Sequence, residues 1–166
     1  MFLFSDVTNE SYKSIVDRIR AGIGEVFAER FDFKAGFLWP VDWRPREFNK
    51  PPDFLSNAAM DARVSSRMDC DWPHVFAALS QGACLQIHCD GGLRQESNIG
   101  AAAYVAHLVQ PGTDTLTRVS WEVIFLESIA SSFLAECIAL EHAIQFARHA
   151  CGYSANSRVT FCMNYS

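Results

Sequence analysis

The feature that most constrains this chain is a nearly continuous apolar run over residues 83 to 90, followed directly by Gly91 and Gly92. A run of this length, bounded by turn residues, is typical of a strand buried on both faces of a sheet. The run ends in Asp90, whose desolvated carboxylate is costly unless it is paired or binds a cation. The sequence therefore predicts a central strand with an acidic group at its end.

Three further strands and one helix are predicted in the second half of the chain. Ile99 to Val109, Arg118 to Phe125 and Arg158 to Met163 each predict a strand, because they are rich in β-branched, aromatic or alternating apolar residues. Ser131 to His149 predicts a helix, because its apolar residues recur at helical spacing.

The first half predicts the order helix, strand, helix. Apolar residues at helical spacing predict an amphipathic helix over residues 10 to 31, and residues 37 to 43 predict a strand. Pro51 and Pro52 suit the first turn of a second helix, which we expect to end near residue 63. Residues 64 to 81 predict a connection that contains about one helical turn.

Composition excludes several classes of protein. A length of 166 residues predicts one domain, and a net charge of -5 argues against a protein that coats nucleic acid or anionic membranes, although a small basic groove stays compatible with it. No apolar stretch is long enough to span a membrane, and the N-terminus lacks the basic region of a signal peptide. We therefore expect an intracellular protein, cytoplasmic or nuclear, whose six cysteines are reduced.

Two other acids share the unusual placement of Asp90. Glu136 lies on the core-facing side of its predicted helix, and Asp53 follows the proline pair in a first turn. Each has an ordinary local explanation: a strand-end turn for Asp90, a solvated helix edge for Glu136, and the helix dipole for Asp53. Taken together, the three acids at element ends predict a site for hard divalent cations, which bind several oxygen ligands.

Two motifs in the second half resemble ribonuclease H. Residues 85 to 92 (LQIHCDGG) with residues 100 to 105 (GAAAYV) are similar to the first hairpin of that family, and residues 135 to 143 (AECIALEHA) are similar to its A-E-x-x-A-L helix. The nearest subclass is the one attached to retrotransposon reverse transcriptases and its plant-like relatives. The resemblance implies that Asp90 and Glu136 are metal ligands.

A motif in the first half resembles the opposite end of the same family. Residues 46 to 58 (REFNKPPDFLSNA) are similar to its closing R-E-x-N-x-x-A-D-x-L-A-N motif, which places the last catalytic aspartate on Asp53. The closing motif of the family (here the tail motif) thus precedes its hairpin and helix motifs (here the head motifs) in this chain. The chain is then either a circular permutant or a piece of two tandem copies, with residues 1 to 60 and 82 to 166 as its two parts and residues 61 to 81 as the linker.

The remaining metal ligand of the family has two candidates in this chain. Asn164 follows the last predicted strand and offers an oxygen without a charge. Asp6 follows a similar apolar segment at the N-terminus and precedes a helix, as the family requires, so Asp6 is the favoured catalytic ligand. If neither serves, one metal is weakly held and hydrolysis is slow or absent.

The resemblance implies a fold and an activity. The fold is α/β, a ribonuclease H-like mixed five-stranded sheet with an antiparallel three-strand meander and helices on both faces. The activity is cleavage of the RNA strand of an RNA–DNA hybrid, with two Mg²⁺ or Mn²⁺ ions held by Asp90, Glu136, Asp53 and Asp6 or Asn164. The alternative is an inactive or weakened nucleic-acid-binding remnant of a retroelement; no membrane partner is expected, and the oligomeric state stays open.

Contacts to the nucleic acid are expected from the basic residues near these motifs. Arg44, Arg46, Lys50 and Arg94 are the candidates for phosphate contacts, and Asn49 is expected to contact the nucleic acid within the tail motif.

Overall fold

The structure is a computed structural model of the chain, and it describes residues 10–27, 41–44, 49–113, 115–152 and 158–164. Within these ranges the chain forms four helices and six strands. The helices are α1 (Glu10–Phe27), α2 (Lys50–Ala62), α3 (Trp72–Ser80) and α4 (Ser132–Cys151). The strands are β1 (Val41–Arg44), β2 (Ser66–Met68), β3 (Cys84–Arg94), β4 (Ile99–Val109), β5 (Leu116–Leu126) and β6 (Arg158–Asn164).

The strands form one mixed open sheet in the order β1-β6-β3-β4-β5-β2. Strands β3, β4 and β5 form an antiparallel meander, and β2 adds to the outer edge of β5. On the other side, β6 runs parallel to both β3 and β1. The α/β class and the five expected strands are therefore confirmed, and β2 is a short sixth strand that the sequence did not predict.

Helices cover both faces of the sheet. Successive residues of β4 point to opposite faces, and they belong to two different apolar clusters. Ala102, Tyr104 and Ala106 belong to a large core that includes buried residues of α1, α3 and α4. Ala101 and Ala103 instead pack with Ala59 and Met60 of α2 in a second, smaller core. Segments from the two ends of the chain therefore pack on one sheet.

The ends of the helices follow local sequence signals. Ser131 caps α4 by accepting a hydrogen bond from the amide of Leu134 at 3.1 Å, and Asp71 caps α3 by accepting from the amide of His74 at 3.3 Å. The segment expected as a linker thus contains β2 and a helix of 9 residues, longer than the single turn expected. Among the described helices, none is long and apolar enough to cross a membrane.

Helix α1 packs along α4, and the two helices come especially close at Gly22. A Cβ placed on Gly22 would lie 2.6 Å from Cγ2 of Ile144, so only glycine allows the two helices to approach this closely. A Cβ on Gly24, two residues further along α1, would have no neighbour within 4 Å. The two glycines of α1 therefore differ in the role they play.

We expect alanine substitutions at these two glycines to have opposite effects. Gly22→Ala forces the helices apart and should cost about 1–3 kcal/mol of stability, as overpacked cores do. Gly24→Ala removes a helix-weakening glycine at an open position and should stabilise the chain by about 0.5–1 kcal/mol. Urea unfolding of both variants measures the difference, and equal midpoints for the two would contradict the described helix contact.

Candidate metal site at the end of strand β3

The candidate site lies where β6 and β3 separate. Strand β6 pairs with β3 from Cys84 to His88, whereas β3 continues to Arg94. In the described part of the chain, no strand pairs with this edge of β3 beyond His88. The backbone carbonyl of Cys89 accepts a hydrogen bond from Nδ2 of Asn49 at 2.6 Å. The sheet is therefore open on this side of β3, directly beside Asp90.

Asp90 lies at this opening on the face of the sheet that α2 covers. It pairs in register with Ala103, which packs in the small core under α2. Only 8% of Asp90 is exposed to solvent. The carboxylate is therefore largely desolvated, as the position of Asp90 in the sequence predicts.

Helix α4 reaches the same end of β3 from the opposite face. A Cβ on Gly91 would lie 2.2 Å from the backbone carbon of Ala135 and 2.3 Å from the amide nitrogen of Glu136. A side chain at position 91 would therefore collide with the backbone of α4, and glycine lets β3 touch the helix beside Glu136. Burial raises the pKa of the Glu136 carboxyl above its ordinary value.

Helix α2 brings Asp53 toward the same opening. Asn49, the N-cap residue of α2, is 1% exposed and is bound to the carbonyl of Cys89, the residue before Asp90. The amide of Asp53 donates to the carbonyl of Asn49 at 3.4 Å, so Asp53 lies one turn into the helix. The inverted order of the motifs along the chain therefore does not keep their segments apart.

Asn164 is the last residue of β6, and the register sets its backbone near the site. The pairing of β6 with β3 ends at Cys162, opposite His88, and Asn164 follows two residues later, paired with Arg44 of β1. Asp6, the favoured third ligand, lies outside the described residues, as does Arg46.

The described structure brings these backbone positions together but does not gather their side chains into one ligand set. Over the residues it describes, no group of three or more His, Cys, Asp or Glu side chains is close enough to hold a metal ion. The chemistry of the donors still fits a hard divalent cation, because Asp90 and Glu136 offer carboxylate oxygens in a partly desolvated place. Carboxylates repel one another, so a cation would be needed to hold them at close range.

The expected nucleic-acid contacts divide into exposed and buried groups. Lys50 is exposed at the start of α2, and the side chain of Arg94 is 40% exposed, with Nη2 2.6 Å from Oδ1 of Asp61. Arg44 ends β1. The side chain of Asn49, in contrast, is buried and hydrogen-bonded within the protein.

The sequence reasoning missed the residues that hold this end of β3. Asn49 and His88 are hydrogen-bonded to each other in the interior, with Oδ1 of Asn49 3.1 Å from Nδ1 of His88. A signal existed for each: a histidine inside an apolar strand, and an asparagine at a helix start. Neither signal shows which residue forms the hydrogen bond, because the two residues lie about 40 positions apart along the chain.

Comparison of the chain with protein-family models, with curated proteins and with solved structures finds no match.

The partly buried Glu136 carboxyl should make the chain less stable as pH rises. Its folded-state pKa is raised, so the folded chain binds this proton more tightly than the unfolded chain does. Stability therefore falls as pH increases from the ordinary pKa through the raised one. In a metal-free buffer, we expect Glu136→Gln to be more stable than wild type at pH 7, and the two to converge below about pH 4.

Urea unfolding between pH 4 and 8 with a chelator present measures this difference. Glu96→Gln, at an exposed position in the β3–β4 turn, is the control and should leave the midpoint unchanged at every pH. A wild type that is at least as stable as Glu136→Gln at pH 7 would contradict the assigned burial cost.

Proposed function

We propose that this chain is a circularly permuted ribonuclease H-like nuclease, which cleaves the RNA strand of an RNA–DNA hybrid with Mg²⁺ or Mn²⁺. One observation carries the proposal. The three elements that bear the matching acids, β3 with Asp90, α4 with Glu136 and α2 with Asp53, meet at the single opening beside β3. The antiparallel meander and the helices on both faces agree with the sheet that the motifs imply.

Packing favours the permutant over a piece of two tandem copies. Helix α2, which carries the tail motif, packs on β4 and β5 of the head-motif segment. Strand β1, which precedes the tail motif, pairs in parallel with β6 at the end of the described chain. The two segments thus complete one sheet and its covering helix within a single chain, without a second copy.

Asp90 and Glu136 would hold the cation, with Asp53 completing the set from the first turn of α2. The bound ion supplies a water of lowered pKa and neutralises charge that develops on the phosphate. The chain would contribute the fixed positions: β3 carries Asp90, the contact at Gly91 sets the backbone of Glu136 against β3, and α2 carries Asp53. Selection of RNA over DNA would rest on contacts to 2′-hydroxyls in the shallow groove of the hybrid.

A second candidate function, a hybrid-binding domain without catalysis, is favoured by two observations. The acids do not form a group of three or more ligands within the described residues. The strand that would supply a further acid ends in Asn164, which has an oxygen but no charge. A domain of this kind would bind the hybrid and leave the RNA intact in either metal.

Cleavage of an end-labelled RNA–DNA hybrid distinguishes the two functions. We expect wild type to cut the RNA strand with Mg²⁺ or Mn²⁺, and not with a chelator. Asp90→Asn should lower the rate by more than about a hundredfold, since loss of even an outer-shell partner costs 10–100-fold at metal sites. Asp69→Asn changes an exposed acid outside the three motifs and should cut at the wild-type rate.

Retained binding with no cleavage in either metal would assign the second function. Cleavage that persists in Asp90→Asn would show that the activity does not use this site.

The phosphate contacts are tested separately from catalysis. If Arg94 and Lys50 each contact a phosphate, alanine at either position should reduce the salt dependence of hybrid binding, lowering the slope of log K against log salt by about 1. Arg67→Ala, at an exposed position on the β2 edge, is the control and should leave the slope unchanged. Equal slopes in all four proteins would remove Arg94 and Lys50 from the interface.

A further inference from the structure

The Asn49 side chain does not cap the helix that it begins. Asparagine at an N-cap position ordinarily accepts a hydrogen bond from the amide two or three residues on. In α2 those positions are Pro51 and Pro52, which have no N–H to donate, so the Asn49 side chain makes no such bond and points instead toward β3. There it is 1% exposed and contacts the carbonyl of Cys89 and the ring of His88.

The chemistry of the two contacts fixes where the protons lie. A carbonyl oxygen can only accept, so the amide nitrogen of Asn49 faces Cys89 and donates to it at 2.6 Å. The amide oxygen then faces Nδ1 of His88 at 3.1 Å, and that nitrogen must carry the proton. His88 is therefore protonated on Nδ1 whether the ring is neutral or charged.

We infer that Asn49 and His88 are a positioning pair, which docks the first turn of α2 on the open edge of β3 and thereby fixes Asp53 beside Asp90. The inference rests on the proposed function where it concerns cation binding, and on the hydrogen bonds alone where it concerns docking. Asn49 is a positioning residue, because it acts through Asp53 and Asp90 and contacts neither substrate nor metal.

The location of the pair explains why the docking is specific. Cys89 lies at the first position of β3 past its pairing with β6, so its carbonyl needs a partner from outside the sheet. Asn49 supplies that partner only when the start of α2 lies against β3. The amide of Asp53 is bonded to the carbonyl of Asn49, so the turn that carries the acid moves with the docked residue.

Asn49→Ala tests the docking against a matched control, Ser120→Ala. Ser120 is also a buried polar residue, 3% exposed, and it donates to the carbonyl of Met68 at 3.1 Å on the far side of the sheet. Both variants lose a buried bond to a backbone carbonyl. We expect only Asn49→Ala to increase amide hydrogen exchange over residues 53 to 56, by about tenfold or more, the factor that about 1.4 kcal/mol of lost docking gives.

The nitrogen chemical shifts of His88 provide a second readout that is independent of activity. Wild type and Ser120→Ala should show a proton on Nδ1, and Asn49→Ala should lose that preference. Unchanged exchange over residues 53 to 56 in Asn49→Ala, or a wild-type His88 protonated on Nε2 alone, would overturn the inference. These measurements decide the docking even in a chain that does not cleave the hybrid.

Cation dependence then tests whether the docking serves the proposed site. In a wild type that cleaves, Asn49→Ala should raise the Mg²⁺ concentration for half-maximal rate several-fold, while Ser120→Ala leaves it unchanged despite a comparable loss of stability. An equal rise in this Mg²⁺ concentration in both variants would show that Asn49 has only a structural role. A wild type that neither binds Mg²⁺ nor cleaves would reject the proposed function, whereas the exchange data would still decide the docking.

His88→Phe is the second variant, for the case that Asn49→Ala does not fold. Phenylalanine keeps the aromatic contact with His107, whose ring centroid lies 5.5 Å from that of His88, and removes the donor to Asn49. Since the bond from Asn49 to Cys89 remains, exchange over residues 53 to 56 should rise by less than in Asn49→Ala. No rise at all would contradict a role for His88 in the pair.

Discussion

The carbonyl of Cys89, left without a strand partner where β6 ends its pairing with β3, is the point on which the rest of the site depends. Asn49 bonds to it and so brings the start of α2 to the sheet. One residue further along β3, Asp90 is held on the α2 face, and the next residue, Gly91, lies against the backbone of α4. Two helices on opposite faces of the sheet therefore contact the same short stretch of β3. Helix α2 does so because the carbonyl of Cys89 has no strand partner, and α4 does so because Gly91 has no side chain.

The electrostatic environment of the Asp90 and Glu136 carboxylates favours binding of a cation between these elements. Asp90 is largely buried, and burial raises the pKa of Glu136, so the ionised form of Glu136 carries a desolvation cost. A divalent ion compensates that cost more effectively than a single basic side chain, because it accepts several oxygen ligands at once. With a net charge of -5, the proposed binding of nucleic acid would depend on a few local contacts such as Lys50 and Arg94.

Much of the fold was predictable because its signals are local. The apolar run that forms β3 and the helical periodicity of α4 depend only on neighbouring residues. Helix α4 lies close to its predicted position, whereas β3 continues through Gly91 and Gly92, past its predicted end at Asp90, to Arg94. Strand β2 was missed because its three residues, Ser66–Met68, are too few to show apolar alternation and pair only with the edge of β5. Helix α3 was underestimated because its cap, Asp71, stands in a polar stretch that is typical of a loop.

The candidate site was predictable only in part, since a motif identifies residues but not the side chains and backbone that contact them in the fold. Asp90, Glu136 and Asp53 were found from their positions and from the resemblance, and the structure sets their elements at one opening. The interior role of Asn49 was predictable only in part: Pro51 and Pro52 lack the N–H groups that an N-cap side chain would bind, but this absence does not identify the partner of Asn49 on β3. Gly91 likewise looks like a turn glycine in the sequence, although it permits a helix contact.

A crystal structure of the chain grown with Mn²⁺, using the anomalous signal of the metal, tests the central claim most directly. The account predicts a peak at the open edge of β3, with oxygens of Asp90 and Glu136 within about 2.6 Å of it and Asp53 directed toward it. A peak elsewhere, or Asp90, Glu136 and Asp53 left apart with no metal between them at saturating Mn²⁺, would contradict it.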